Sequence, residues 1–295
     1  MHNPSTYTDA VAAFRAAAEA ELGAMPVIEA DGALHRFRTE RDKCGQRSGW
    51  YVLFLDRVPA GAFGDWKAGL TRSWSAVNRD ALPPAQRTAL DQRIKEQREA
   101  ARRQREADHQ AATEKANKLW NWAGPADPRH PYLQAKQVGP RGLRQHGATL
   151  LVPLVESGEL VNLQRIHPDG EKRFLPGGRV RGLYSPIGLC GGPLYVCEGW
   201  ATGATIHAVT GRPVACAMNA GNLTPVAQAL RRRYPGRLII VAGDNDRSTE
   251  GNPGKAAAMR AAKAIGGEWI VPDFPAGLPG TDFNDLARLE REGAL

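Results

Sequence analysis

The spacing of apolar residues divides the chain into segments with different periods. Residues 8–23 are Ala-rich, carry apolar positions at helical spacing and end at Gly23, which predicts a helix. Residues 26–77 change character. Val27-Ile28, Leu34-His35-Arg36-Phe37 and residues 50–55 read as short strands. Asp31-Gly32, Gly45, Ser48-Gly49, Pro59, Gly61 and Gly64 read as turns. From Pro83-Pro84 onward neither Gly nor Pro recurs until Gly124. Residues 86–118 are dense in Arg, Lys, Glu, Gln and Ala, with few apolar positions before Leu119, Trp120 and Trp122, so a long solvated helix is expected.

The second half is more regular. Two alternating runs within residues 148–166, joined by Ser157-Gly158-Glu159, predict a hairpin. The turn His167-Pro168-Asp169-Gly170 leads from it into Lys172-Arg173-Phe174-Leu175. After Pro193, strands at 194–197, 213–218, 237–242 and 268–271 alternate with helices at about 201–209, 224–234 and 254–265. A last helix is expected at 283–290. Strand and helix in alternation imply an α/β fold, a parallel sheet covered on both faces.

Composition narrows the classes. A length of 295 residues predicts about two domains. The apolar fraction of 42% with 7% aromatic excludes full disorder and predicts a core rich in Ala, Leu and Val. No apolar run approaches the roughly 18 residues of a membrane span. No signal peptide is expected, because Arg15, Glu19 and Glu21 interrupt the Ala-rich stretch. The four cysteines, at 44, 190, 197 and 216, form no CxxC pair, which argues against a zinc ribbon or a disulfide framework. Cys190, Cys197 and Cys216 read as small buried apolar residues, and the expected compartment is the cytoplasm. The 39 Lys and Arg exceed the 31 Asp and Glu by +8, which suits a polyanionic partner without requiring one. Trp50, Trp66 and Trp74 stand near Lys43, Arg47, Lys67 and Arg72. These tryptophans either fill the core of a small sheet or stack bases beside cations that grip phosphates.

Ligands of open α/β sheets gather at the carboxyl ends of strands. Here those ends carry Glu198 after one strand and Asp244 and Asp246 after another. If the two strands are neighbours, three carboxylates converge. Two of them about 4 Å apart repel by about 4 kcal/mol at an effective dielectric of 20. A divalent ion removes that penalty, and hard oxygen donors without His or Cys suit Mg²⁺ or Mn²⁺ rather than zinc.

The residues also resemble a known family. Val196-Cys197-Glu198-Gly199-Trp200-Ala201-Thr202-Gly203 is similar to the first motif of a Toprim domain. Ile239-Ile240-Val241-Ala242-Gly243-Asp244-Asn245-Asp246 is similar to its DxD motif, and Gly254-Lys255-Ala256-Ala257-Ala258 to the helix start that follows in primases. The hairpin with Lys172-Arg173-Phe174-Leu175 resembles the segment ahead of Toprim in DnaG-type primases. Pro279-Gly280-Thr281-Asp282-Phe283-Asn284-Asp285-Leu286 resembles their acidic segment, except that Asn284 stands where a second Asp is expected. The resemblance covers about 125–295 and is nearest to primases of phages, plasmids and integrative elements. The zinc ribbon that opens many of these primases is missing.

This resemblance implies a Toprim parallel sheet flanked by helices over 193–275, preceded by a small α+β subdomain at 123–192. A charged helical linker is expected at 83–122, an N-terminal helix plus β-rich module at 1–80, and an acidic segment with a helix at 276–295. It implies RNA primer synthesis on single-stranded DNA by metal-dependent nucleotidyl transfer, in replication or transfer of a mobile element. Glu198, Asp244 and Asp246 are then catalytic and hold Mg²⁺ or Mn²⁺, with Asp282 a candidate ligand for a second ion. Arg165, Lys172, Arg173 and Lys255 are candidates for binding nucleotide phosphates or template. Expected partners are single-stranded DNA, ribonucleoside triphosphates and, optionally, a replicative helicase, with no membrane. The alternatives are a Toprim nuclease or a non-catalytic replication accessory protein.

Overall fold

A computed structural model describes residues 4–42, 45–55, 59–76, 84–188 and 191–293. Cys44, Cys190 and Lys43 lie outside the described residues. The chain forms two compact units, Met1–Ala100 and Ala101–Leu295.

In the first unit, helix α1 (Pro4–Leu22) ends at Gly23, whose φ of +79° favours glycine. Four antiparallel strands follow in the order β1 (His35–Phe37), β2 (Gly49–Phe54), β3 (Ala60–Asp65) and β4 (Leu70–Ser75). Alternation sends Phe37, Tyr51, Leu53 and Phe63 to one face, where Phe14 and Ala18 of α1 close the core. Trp74 packs edge-on to Phe14 at 5.4 Å, so it belongs to this core. Trp50 does not. It lies two-strand register opposite Gly64 and stacks on Trp66, ring centroids 5.8 Å apart. Trp74 thus takes the core role that the sequence offered, while Trp50 and Trp66 lie outside that core.

Two expectations fail in this unit. Gly61 and Gly64 are not turns but lie inside β3. A Cβ on Gly61 would sit 2.8 Å from the Phe14 ring, and one on Gly64 would sit 2.9 Å from the Trp50 indole, so both glycines serve close packing. Val27-Ile28 is not a strand. The Tyr51 hydroxyl secures this segment instead, donating to the Val27 carbonyl and accepting from the Glu29 N–H.

Helix α2 (Pro84–Trp122) forms where Gly and Pro are absent. Past it come β5 (Gly124–Pro125), α3 (Pro131–Lys136), β6 (Arg144–His146), β7 (Thr149–Glu156), β8 (Glu159–Ile166) and β9 (Lys172–Phe174). The five strands form one antiparallel sheet in chain order. Ser157 and Gly158, both at positive φ, close the β7–β8 hairpin. Leu151, Leu163 and Leu175 face Ala116, Leu119 and Trp120 of α2. Leu150, Val152, Leu154 and Ile166 face the opposite way and join the core of the next sheet.

That sheet has the order β10 (Ser185–Ile187), β12 (Val214–Cys216), β11 (Leu194–Cys197), β13 (Ile239–Ala242), β14 (Glu268–Ile270). All pairings are parallel except β10 with β12. Helices α4 (Trp200–Thr210) and α7 (Phe283–Arg291) pack on one side and α5 (Leu223–Arg233) and α6 (Pro253–Ile265) on the other. Val196, Ile239 and Val241 are fully buried under α5 and α6, each worth about 1.5–3 kcal/mol of transfer from water. Edge strand β10 carries no periodicity that a sequence reading could use, because Pro186 occupies its exposed middle position. Among the described residues no helix is long and apolar enough to cross a membrane.

Candidate active site

Strands β11 and β13 are adjacent and parallel, with Cys197 opposite Ala242. Glu198 and Gly243-Asp244 therefore leave the sheet side by side at its carboxyl edge. The wording of the first motif has a packing cause. Trp200 is buried, and a Cβ on Gly203 would lie 2.3 Å from Cys216 Sγ, so α4 can sit on the sheet only with glycine there. Cys197 and Cys216 are fully buried free thiols, as small apolar residues would be.

The Asp244–Asp246 loop is fixed by its own polar groups. Asp246 Oδ2 accepts from the Gly254 N–H at 2.9 Å, in the first turn of α6, where the helix dipole favours negative charge. The Asp246 N–H donates to Asn252 Oδ1, and Asn252 caps the same helix from a left-handed conformation (φ +42°). Asn245 donates its N–H to the Thr281 carbonyl and its side-chain amide to the Pro272 carbonyl. A Cβ on Gly254 would stand 2.6 Å from the Asp244 carbonyl oxygen and 2.9 Å from Asp246 Oδ2, so glycine lets α6 approach the acids.

Asp244 is different. Its Oδ1 is buried and has no hydrogen-bond partner among the described residues. Burial, then the charges of Glu198, Asp282, Asp246 and Asp285, push its pKa up to about 8. Glu198 is raised too, first by burial and then by Asp246, while the Ala220 N–H and Lys172 pull it down. An orphaned buried carboxylate oxygen among mutually repelling acids fits a hard divalent cation. The acids share one rim without closing on a common point. Among the described residues, the trio whose ligand atoms lie within 4.8 Å of one another is Glu29, Asp31 and His35, in the first unit.

Asp282 is the N-cap of α7, its Oδ1 accepting from the Asp285 N–H at 2.8 Å. Its charge still reaches Asp244, Glu198 and Lys172. Asp285 accepts from the Thr281 N–H and pairs with Lys136 at 3.8 Å. Asn284 has a structural reason to be an amide. It is fully buried and donates to the Lys136 carbonyl at 2.8 Å and to Thr205 Oγ1 at 2.9 Å. A carboxylate could make no donation to that carbonyl.

The four basic candidates separate. Lys172 is brought to the acids. Its ammonium lies 5.3 Å from the Tyr132 ring centroid, and its pKa is lowered by desolvation and by Lys136, against the pull of Asp282, Glu198 and Asp244. Arg165 and Arg173 are cross-strand neighbours and so share a sheet face, with Lys172 one position away on the other. Arg173 pairs with Glu171, and Arg165 Nε is buried without a partner among the described residues. Lys255 sits at the start of α6 with its ammonium 5.5 Å from the Trp269 ring centroid. Two members of the site were missing from the sequence reading. Lys136 and Tyr132 come from the short helix α3, and Tyr132 Oη is buried and unpartnered among the described residues, its pKa raised by burial and by Asp282. Nothing in the local sequence marks either.

Two curated relatives from Escherichia coli, both named DNA primase TraC, are 35% identical over 268 residues and 32% identical over 257, covering 86% and 83% of this chain. The chain spans only 25% and 18% of their lengths. The primase fragment of the bacteriophage T7 primase-helicase covers 58% of this chain and 77% of its own at 16% identity, a loose likeness with a TM-score of 0.41. The Toprim domain family model matches residues 193–293. That range, which is similar to a Toprim domain, holds β11 with Glu198, β13 with the two aspartates, and α7 with its cap.

Proposed function

We propose that this chain is the catalytic part of a DNA primase, making short RNA primers on single-stranded DNA from ribonucleoside triphosphates. The observation that carries the reading is the orphaned oxygen of Asp244 in an acidic rim faced by Lys172. The names of its two relatives point the same way. Asp244 and Asp246 would hold one or two Mg²⁺ or Mn²⁺ ions, with Asp282 as a further ligand. A bound divalent ion supplies charge neutralisation for a triphosphate and for the departing pyrophosphate. Lys172 and Lys136 lie where phosphate oxygens would need cations once the acids are neutralised. Glu198, whose burial strengthens it as a base, takes the proton of an attacking 3′-hydroxyl or completes the ion's ligand shell. Arg165, Arg173 and Lys255 are assigned to template or nucleotide contacts. A replicative helicase would be the natural partner of such an enzyme, and a plasmid or other mobile element its setting.

The test uses the full chain with single-stranded DNA, labelled ribonucleotides and Mg²⁺ or Mn²⁺. Short RNA products are expected, and Asp244→Asn should lower their yield by about 100-fold or more. Shortened DNA would make the chain a nuclease, and no change to either nucleic acid would leave it an accessory protein.

A further inference from the structure

The first unit has a cleft that the chemistry above does not use. It is open, about 650 Å³ in volume, and lined by Arg36, Asp42, Gly45, Gln46, Arg47, Ser48, Trp66 and Lys67. We propose that this cleft binds single-stranded nucleic acid, with Trp66 as the stacking platform and Arg36 and Arg47 as its phosphate contacts.

Trp66 is the anchor of the proposal. It remains 49% exposed although it is among the largest apolar side chains of the unit. Its indole is held in place: Trp50 stacks on it at 5.8 Å with 22° between planes. The Arg36 guanidinium carbon lies 4.6 Å from the Trp66 ring centroid. Arg36 is itself positioned by donating to the Arg47 carbonyl at 2.6 Å. An exposed aromatic with a planar cation over its ring offers a flat, positively charged surface on which bases stack without their sequence being read. Trp50 can lie flat because its cross-strand neighbour, Gly64, has no side chain to displace it.

Charge favours a polyanion over an apolar partner. The acids at the cleft are already occupied: Asp42 accepts from the Ser48 and Thr39 N–H groups and pairs with Lys67 at 3.1 Å. The Arg47 side chain stands exposed at the rim. Trp74, by contrast, is half-buried and packs edge-on to Phe14 against the core.

The inference deepens the primase reading by supplying a holding surface for the template, but binding is measured apart from synthesis. Fluorescence anisotropy of a labelled oligothymidylate with the full chain, in EDTA and without nucleotides, reads it directly. Trp66→Ala should weaken binding about tenfold, with Trp66→Phe retaining most of it. Arg47→Ala should reduce the slope of log K against log salt by about 0.7. Trp122→Ala, an exposed tryptophan outside the cleft, serves as the control and should bind as the unaltered chain does. Duplex of the same sequence should compete poorly, because its bases are stacked on each other. A Trp66→Ala affinity within twofold of the unaltered chain, or a phenylalanine variant as weak as the alanine one, overturns the proposal. So does equal competition by duplex. A chain that binds through Trp66 yet makes no primer keeps this inference and loses the earlier reading. A chain that primes while Trp66→Ala binds normally does the reverse.

Discussion

Each unit withdraws aspartate oxygens from water, and the two cases are opposite in kind. In the first, Asp65 is 1% exposed. Its Oδ1 accepts from the Lys67 and Ala68 N–H groups, and its Oδ2 from the Thr39 hydroxyl. Asp42 beside it is met by two backbone N–H groups and Lys67. Burial alone would raise both carboxyls, yet the hydrogen bonds outweigh it and both lie below the ordinary carboxylate range. In the second unit Asp244 is half-buried; its Oδ1 is out of solvent with no hydrogen-bond partner among the described residues, and its neighbours carry its own charge, so it lies far above that range. A buried acid whose lone pairs are filled by the chain is part of the fold. One whose lone pairs are left empty by the chain is open to a ligand.

The contrast can be broken most sharply at Asp65. Asp65→Ala strands three donors in a buried place and should cost about 3 kcal/mol of unfolding free energy, read by urea titration with tryptophan emission. A loss below half of that would show the acid to be dispensable to the fold. Asp244→Asn should behave oppositely, being at least as stable as the unaltered chain in EDTA because it removes repulsion. Magnesium at about ten times its Kd should stabilise the unaltered chain by about 1.4 kcal/mol and leave the variant unmoved in a thermal scan. Equal stabilisation of both would place the ion elsewhere. The gentlest test is acid. Asp42 and Asp65 have folded-state pKa values below the ordinary 3.8. Their stabilisation is therefore full above that pH and fades as pH falls through the lower folded-state values. Unfolding of the first unit should ease below about pH 4, and Asp42→Asn should flatten that dependence.

Much of the α/β part was legible because its signals are local. Each strand from β11 to β14 is an apolar run between turn residues, and Glu198, Asp244 and Asp246 follow strand ends, where open α/β sheets place ligands. The strand order that makes β11 and β13 neighbours is a long-range property, and only the structure supplies it. The same limit hid Lys136 and Tyr132, which reach the acids from α3 through tertiary packing alone. In the β-rich module the error had a different source. Gly61 and Gly64 carry the usual punctuation of turns, but here they yield space to Phe14 and Trp50 across a sheet. A glycine chosen for closeness and one chosen for a bend look identical in one dimension. The face assignment of Lys172 against Arg173 depended on the register of β8 with β9, which strict alternation could have given had β9 been recognised as a strand.

Asn284 ties the last helix to the rest of its unit. Its amide bolts the start of α7 to α3 through the Lys136 carbonyl and to α4 through Thr205. The helix that presents Asp282 is thereby latched by a buried side chain only two residues further on, alongside the Lys136–Asp285 pair and Arg291 on the Gln137 carbonyl. Fraying at that latch would swing one wall of the acidic rim away while leaving the five-stranded sheet intact. What reads in the sequence as the erosion of an acidic motif is, in three dimensions, the hinge pin that keeps the motif's first residue in station.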